Sequence, residues 1–417
     1  MGLQQRLLRW DGPVTATDAA PRLRRTTYAI AAGSGIASLA MNFWLPLLPL
    51  YMQQLGASTQ ANALFWTAIA NVALGLARIV SGPVWGAVSD RIGRKPMFVR
   101  TLLFASATIV LVGFAREPWH VVVAFAVQGL FSGFTPAATA LMSVSTPEER
   151  MSSSLSIVTG GQYLGTTAGP ALGAALVVLV GFRGSMFAGA LLPIIAATVV
   201  QVLVPRDAVR PRVPRDERTE APSALWRTLP AQFYLAVFLF FLLFGMNQVV
   251  RLLTPIALQG IEGTDSVAGI SGVAFSAGGL AAVLGIVLIA RSFVRPGRLK
   301  GALIAGTLAA GAANLLLATT HGAAEYIVLF SIFSLVHASM IPAANTLIAM
   351  NVARDRRGTG FGIASSAQAV ALMVGPMAAT VFGASSIALG FATMAVLFAA
   401  IAALVFAGVR EPRRGAG

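Results

Sequence analysis

The chain has 417 residues, 56% of them hydrophobic and only 11% charged, with 42 glycines and no cysteine, and its mean hydropathy is +0.77. Such a composition cannot dress a soluble surface, so the chain is predicted to sit in a bilayer, and the lack of cysteine excludes disulfides, thiol catalysis and zinc ribbons. A formal charge of +15 would raise nucleic-acid binding for a soluble domain; here the basic residues fall in alternate loops between apolar runs, which removes that reading.

Residues 1–26, carrying Arg6, Arg9, Arg22, Arg24 and Arg25, read as a cytoplasmic N-terminal tail. Apolar runs then follow at about 27–52, 61–88, 97–115, 119–143, 153–180 and 184–204. Segment 205–230, rich in Arg, Pro, Asp and Glu, breaks the pattern and reads as a cytoplasmic linker. Six more runs occupy about 231–257, 267–291, 300–319, 324–349, 360–384 and 387–409, before a short tail, 410–417. The expected architecture is all-α: a polytopic membrane protein of twelve transmembrane helices in two six-helix bundles, 27–204 and 231–409.

Sidedness follows from charge. After the N-terminal tail, basic clusters recur at Arg91, Arg94, Lys95 and Arg100, through Arg206, Arg210, Arg212, Arg215 and Arg218, and at Arg291, Arg295, Arg298 and Lys300. They recur again at Arg354, Arg356 and Arg357 and at Arg410, Arg413 and Arg414, whereas the intervening loops hold only Arg116 and Arg183. This positive-inside pattern places both termini in the cytoplasm of a bacterial-type plasma membrane.

The two bundles repeat each other at an offset of 206 residues. Asn42, Pro49 and Gln53 recur as Gln248, Pro255 and Gln259. Pro136, Ala137, Ala138, Arg150, Ile157, Gln162, Gly169 and Pro170 recur as Pro342, Ala343, Ala344, Arg356, Ile363, Gln368, Gly375 and Pro376. A duplicated apolar unit suggests a transporter with its substrate path between the halves.

Three motifs sharpen this. The loop after the second run reads Gly86-Ala-Val-Ser-Asp90-Arg91-Ile-Gly93-Arg94-Lys95. There Gly86 permits close helix approach, Asp90 can accept from a helix terminus or an arginine, Gly93 supports a tight turn, and the basic trio can hold helix ends or anionic lipid heads. The fifth run carries Gly165-Thr-Thr-Ala-Gly169-Pro170-Ala-Leu-Gly173, glycines four apart beside a proline that withdraws a backbone donor. The first run ends Pro46-Leu-Leu-Pro49-Leu-Tyr51. Together these motifs resemble the signature loop of the major facilitator superfamily and the antiporter motif of its twelve-span drug:proton antiporters, with Pro83-Val-Trp85-Gly86 similar to the multidrug exporters of the MdtG type. The resemblance spans about 27–409 and implies multidrug-type efflux by alternating access, with no cofactor. It departs from the family's R-x-x-Q-G motif, where Phe125 stands in place of arginine before Gln128-Gly129.

No carboxylate sits in the middle of a run, so a pocket for strongly cationic substrates is disfavoured. Asn247, Gln248 and Arg251 share one face of the seventh run. Arg251 either faces a cavity or snorkels outward, since an unpaired arginine in hydrocarbon costs roughly 2.5–3.5 kcal/mol or more. His337 is a candidate for substrate contact and, with Asp90, for proton coupling, although a lone histidine also serves as a packing residue. Asn42, Gln128, Gln162, Tyr163 and Gln368 complete the expected substrate lining, and interhelical hydrogen bonding would explain the glutamines equally well. The gating group comprises Gly86, Asp90, Arg91, Gly93, Arg94, Lys95, Gly165, Gly169, Pro170, Gly173, Gly375 and Pro376. The partners expected are a small amphipathic substrate, neutral or anionic, together with protons and membrane lipids. The chain is expected to be a monomer that binds no nucleic acid. The three histidines form no H-E-x-x-H set and no G-x-S-x-G elbow appears, so an enzyme is not expected. A facilitator or importer of a metabolite, sugar or lipid would share the fold.

Overall fold

The computed structural model describes residues 16–131, 133–146, 148–205, 229–264, 266–290, 297–352, 357–383 and 386–410. The predicted linker, apart from its first and last residues, and most of both predicted tails lie outside the described residues. In the first half the helices are α1 (Ala16–Asn42), α2 (Leu48–Gln54), α3 (Gln60–Ile92), α4 (Arg94–Gly113), α5 (Pro118–Phe131), α6 (Phe134–Ser145), α7 (Glu148–Gly189) and α8 (Leu191–Leu203). In the second they are α9 (Ala231–Glu262), α10 (Val267–Leu284), α11 (Leu299–Leu317), α12 (Ala323–Met350), α13 (Arg357–Gly383) and α14 (Ile387–Gly408), with a π-helical turn at Gly285–Ala290 extending α10.

Ten helical stretches among the described residues are long and apolar enough to cross a membrane. One of them, Ile157–Leu203, has 47 residues, about 70 Å of helix against a hydrocarbon core of about 30 Å. It turns back at Gly181, whose φ of 72° is open to glycine at no steric cost.

Two predicted runs are interrupted, and the repeat explains why their counterparts are not. The first run, expected to be continuous over 27–52, breaks after Asn42 into a 3-10 turn, Leu45–Leu47, and then α2. Pro46 has no N–H to return to the Asn42 carbonyl, so α1 ends there. The equivalent position in the second half is Leu252, and α9 runs unbroken through Pro255. The fourth run parts between α5 and α6 at Gly133, φ 123°; its counterpart is Ser339, and α12 continues.

The same pairings build both halves. Helix α1 lies along α7 as α9 lies along α13, α3 packs on α5 as α10 on α12, and α4 meets α8 as α11 meets α14. Between the halves, α7 packs on α10 and α3 on α13, positions that the repeat exchanges. The buried core is aromatic and aliphatic, with Trp44, Tyr51, Phe98, Phe125, Phe233, Tyr326, Phe333, Phe391 and Phe398 fully enclosed.

Candidate functional site

The space between the halves is closed at one end by a self-complementary contact. Gln53 Nε2 donates to Gln259 Oε1 at 3.0 Å, and Gln259 Nε2 returns a bond to Gln53 Oε1 at 2.7 Å. These two residues are each other's counterpart in the repeat. A residue can touch its own counterpart only on the axis relating the two units, so the amide pair marks that axis. It borders a vestibule of about 530 Å³ formed with Ser58, Thr59, Gln60 and Thr264.

Below the pair the two halves are tightly apposed. A methyl added at Gly279 would sit 2.7 Å from Thr167 Cγ2, and one at Gly383 3.0 Å from Leu64 Cδ1; Gly272 abuts Ala174 and Gly75 abuts Met373. Farther along the same face of α7 the contact ends. Gly160 has open space where a Cβ would be, and Leu164 is 65% exposed. On α3, Ile79, one turn past Gly75, is 60% exposed. The gap therefore widens toward the end that carries the arginine-rich loops.

The sequence-predicted lining divides into two sets. The first is engaged in helix contacts. Asn42 Nδ2 donates to Ser38 O at 2.8 Å and to Thr166 Oγ1 of α7 at 3.4 Å. Buried Gln128 sets its Nε2 2.8 Å from Met41 Sδ. Gln248 packs its Cβ over Gly375, as Asn42 does over Gly169. His337 is buried, stacked on Phe333, with Nε2 3.0 Å from Leu243 O. A carbonyl only accepts, so Nε2 is the protonated nitrogen.

The second set is not so engaged. Asn247, Arg251 and Gln368 are half-buried, and among the described residues none has a hydrogen-bond partner. Gln162 Nε2 is shielded from solvent and likewise unpartnered among them, and Tyr163 is 46% exposed. Helix α9 reaches Glu262, five residues past the predicted run. Arg251 thus lies eleven residues, about 16 Å, from the C-terminal end of α9, too deep to snorkel there. Its neighbours around the helix fix its direction. Thr254 bonds Tyr326 of α12, Gln248 faces α13, and Leu253 faces Gly383 and Gly390. Gln248 and Thr254, three residues either side of Arg251, share its face, so the guanidinium leaves α9 between α12 and α13. Arg78 of α3 is half-buried as well.

The signature loop joins α3 to α4 through Gly93, whose φ of 104° suits glycine alone. Gly86 and Asp90 lie on α3, and their side chains fall outside the described residues. Arg91 is exposed and Arg94 half-buried. Lys95 is buried, and its Nζ donates to Gln201 O at 2.9 Å and Val204 O at 2.6 Å, capping the carbonyl end of α8. In the second half Lys300 instead lies 5.3 Å over the Phe406 ring of α14.

The glycines of α7 form a seam against α1 at a four-residue step on both sides. A Cβ at Gly161 would lie 2.7 Å from Ala31 O and one at Gly169 2.9 Å from Leu39 O, while Gly165 and Gly173 abut the carbonyls of Gly35 and Phe43. Gly375 meets Gly245 O the same way across α13 and α9. Pro170 and Pro376 sit buried within α7 and α13, which stay helical through both positions.

Sequence reasoning omitted Gln53 and Gln259 from the site, although the repeat had already paired them. The overlooked signal is that equivalent polar residues at the ends of equivalent helices are candidates for the axis. Among the described residues no group of three His, Cys, Asp or Glu is assembled that could hold a metal ion.

Comparison with known proteins agrees with this geometry. The sequence profile described as Major Facilitator Superfamily matches residues 30–299 and 263–417. The multidrug resistance protein MdtG of Proteus mirabilis is 28% identical over 360 residues, 85% of this chain and 88% of that one. Its namesake from Escherichia coli K12 is 25% identical over 347 residues, covering 83% and 84%. Among solved structures, the nucleoside transporter NupG superposes with a TM-score of 0.70 at 16% identity, covering 91% of this chain and all of that one. The human organic anion transporter MFSD10 does so with a TM-score of 0.65 at 19% identity, covering 92% and 99%.

Proposed function

The chain belongs to the Major Facilitator Superfamily, and from that premise we propose that it is a twelve-span secondary transporter that exports amphipathic small molecules, neutral or anionic, by alternating access. Its standing as a multi-pass membrane transporter rests on the family match and on the MdtG relatives; direction, substrate charge and coupling are the proposal. The observation that carries it is Arg251, a half-buried guanidinium within α9 with no carboxylate or hydrogen-bond partner among the described residues, which the proposal turns toward the space between the halves. Such a group is tolerated in a membrane only where it faces water or a ligand. Buried carboxylates are what attract cationic drugs. The three carboxylates whose side chains are described, Glu117, Glu262 and Glu325, are all exposed at helix ends. Asn247, Gln162, Gln368 and Tyr163 add polar and aromatic contacts for an uncharged portion of the substrate.

The glycine seams make α1 with α7, and α9 with α13, rigid pairs, so each half rocks as one body about Pro170 and Pro376. Opening outward requires the Gln53–Gln259 pair to part and the arginine-rich ends to close, with the Asp90 loop as the latch on that side. Only a ligand that binds the two states differently drives this exchange. Protons are the proposed counter-ion, taken up by His337 or Asp90. A facilitator is the second reading, favoured by Phe125. That residue is buried against Trp44, ring centroids 5.3 Å apart, at the position where the R-x-x-Q-G motif has arginine.

The test is efflux from proteoliposomes loaded with matched anionic, neutral and cationic amphiphiles, with and without an imposed pH gradient. The proposal expects gradient-driven export of the first two and loss of the anion preference in Arg251→Gln. Export indifferent to the gradient and intact in His337→Ala removes antiport in favour of facilitation. Preference for the cation refutes the assigned substrate class.

A further inference from the structure

Helix α4 carries a second concavity away from the gap. Its inner face, with Phe98, Leu102 and Ile109, is fully buried. Its outer face presents Lys95, Pro96, Val99, Arg100, Leu103 and Phe104 at helical spacing. With Ile92 of α3 on one side and Gln201 of α8 on the other, these residues enclose a groove of about 530 Å³. The groove is chemically polarised. Lys95 lies at the loop end, Val99 and Arg100 farther in, and Leu103 (48% exposed) and Phe104, which stacks on Phe131 at 4.3 Å, line the apolar far end.

Arg100 is held, but no carboxylate among the described residues neutralises it. Its guanidinium carbon lies 3.5 Å from the centroid of the Trp85 ring, and that indole is fixed by its own bond from Nε1 to Leu130 O at 2.6 Å. Nε and Nη1 of Arg100 are shielded from solvent, with no acceptor among the described residues. Lys95 is committed to the α8 carbonyls, so it positions the groove wall and adds charge without supplying Arg100 an acceptor. Arg100 lies six residues into α4, about 9 Å of helix from the loop. That depth is where lipid headgroups meet acyl chains, and the arginine-rich loops assign it to the cytoplasmic leaflet.

We propose that the α4–α8 groove binds an anionic phospholipid of the cytoplasmic leaflet, its phosphate on Arg100 and an acyl chain along Val99, Leu103 and Phe104. The two features of the groove require one molecule that joins a phosphate to a hydrocarbon tail. Free phosphate satisfies the first alone, and a zwitterionic lipid brings a cation of its own to a site already positive.

Native mass spectrometry of the full-length protein, delipidated and then titrated with phosphatidylglycerol or phosphatidylcholine of the same chains, tests this. Thermal unfolding of the same samples gives a second readout. Wild type is expected to retain one phosphatidylglycerol at least tenfold more tightly than phosphatidylcholine and to unfold at higher temperature in its presence. Arg100→Gln is expected to lose that tenfold preference, whereas Arg150→Gln, an exposed arginine at the start of α7 and outside the groove, keeps it. Should Arg100→Gln fold poorly, Leu103→Trp preserves the charge but fills the acyl path, and it is expected to lose retention too. Equal retention of both lipids by wild type, full retention by Arg100→Gln or Leu103→Trp, or equal stabilisation by inorganic phosphate would each overturn the assignment.

Discussion

Replacing Gln53 or Gln259 by methionine, a near-isostere without hydrogen-bonding capacity, should shift the protein toward its outward-open form. The pair contributes two reciprocal neutral hydrogen bonds of 3.0 and 2.7 Å, each worth about 0.5–1.5 kcal/mol net. The upper limit for the pair is thus about 3 kcal/mol. It borders an open vestibule that solvent can enter to compete for the same amides, so a value near 1 kcal/mol is the better expectation, about a fivefold change in the ratio of the two states. Because either substitution removes both bonds, the double variant should shift the ratio no further than the single ones, a strongly non-additive cycle. The chain has no cysteine, so spin labels introduced by Ser58→Cys and Glu262→Cys, both exposed positions, report the outer separation without background. A distance distribution unchanged in both single variants, or shifts that simply add in the double, would refute the claim that this pair holds the outer side closed.

Three further outcomes follow from the packing. Lys95→Met leaves the end of α8 without its charged donor and should lower stability by about 1.5–3 kcal/mol, measured as thermal unfolding in detergent, with no comparable effect from Arg91→Met at the exposed neighbour. Gly165→Ala drives a methyl into the Gly35 carbonyl and is expected to cost about 1–3 kcal/mol, whereas Gly160→Ala, on the same helix with open space around it, should be neutral or slightly stabilising by the same assay. His337→Leu deletes the donor to Leu243 O and should destabilise the α9–α12 contact by about 1–3 kcal/mol, while His337→Gln, which retains an N–H, recovers most of that loss; equal melting temperatures for the two would show that the bond contributes nothing.

How much of this was legible beforehand differs by the kind of residue. The break after Asn42 is a local consequence of Pro46, yet a hydropathy run passes straight through it, because proline and leucine both prolong an apolar stretch. The glycine seam was readable as four-residue spacing, but not its partner. Only the tertiary packing shows that Gly165 and Gly173 lie on the carbonyls of Gly35 and Phe43. The amides expected to line the path look alike in a sequence. Asn42 and Gln128 turned out to bind Thr166 and Met41 across helices, whereas Asn247 and Gln368 stayed open.

The sequence by itself determined that this chain lives in a membrane, that it is a duplication, and which loops carry the positive charge, because hydropathy, repeat offset and charge placement are properties of residues in order. Tertiary structure alone decided which side chains share a space. Gln53 and Gln259 stand 206 positions apart and became a hydrogen-bonded pair only because folding set the two units about a common axis. Arg251 and His337 are both polar groups within apolar runs, and no one-dimensional pattern separates them. The helices around each one did, by supplying a carbonyl to the histidine and leaving the arginine without a hydrogen-bond partner among the described residues.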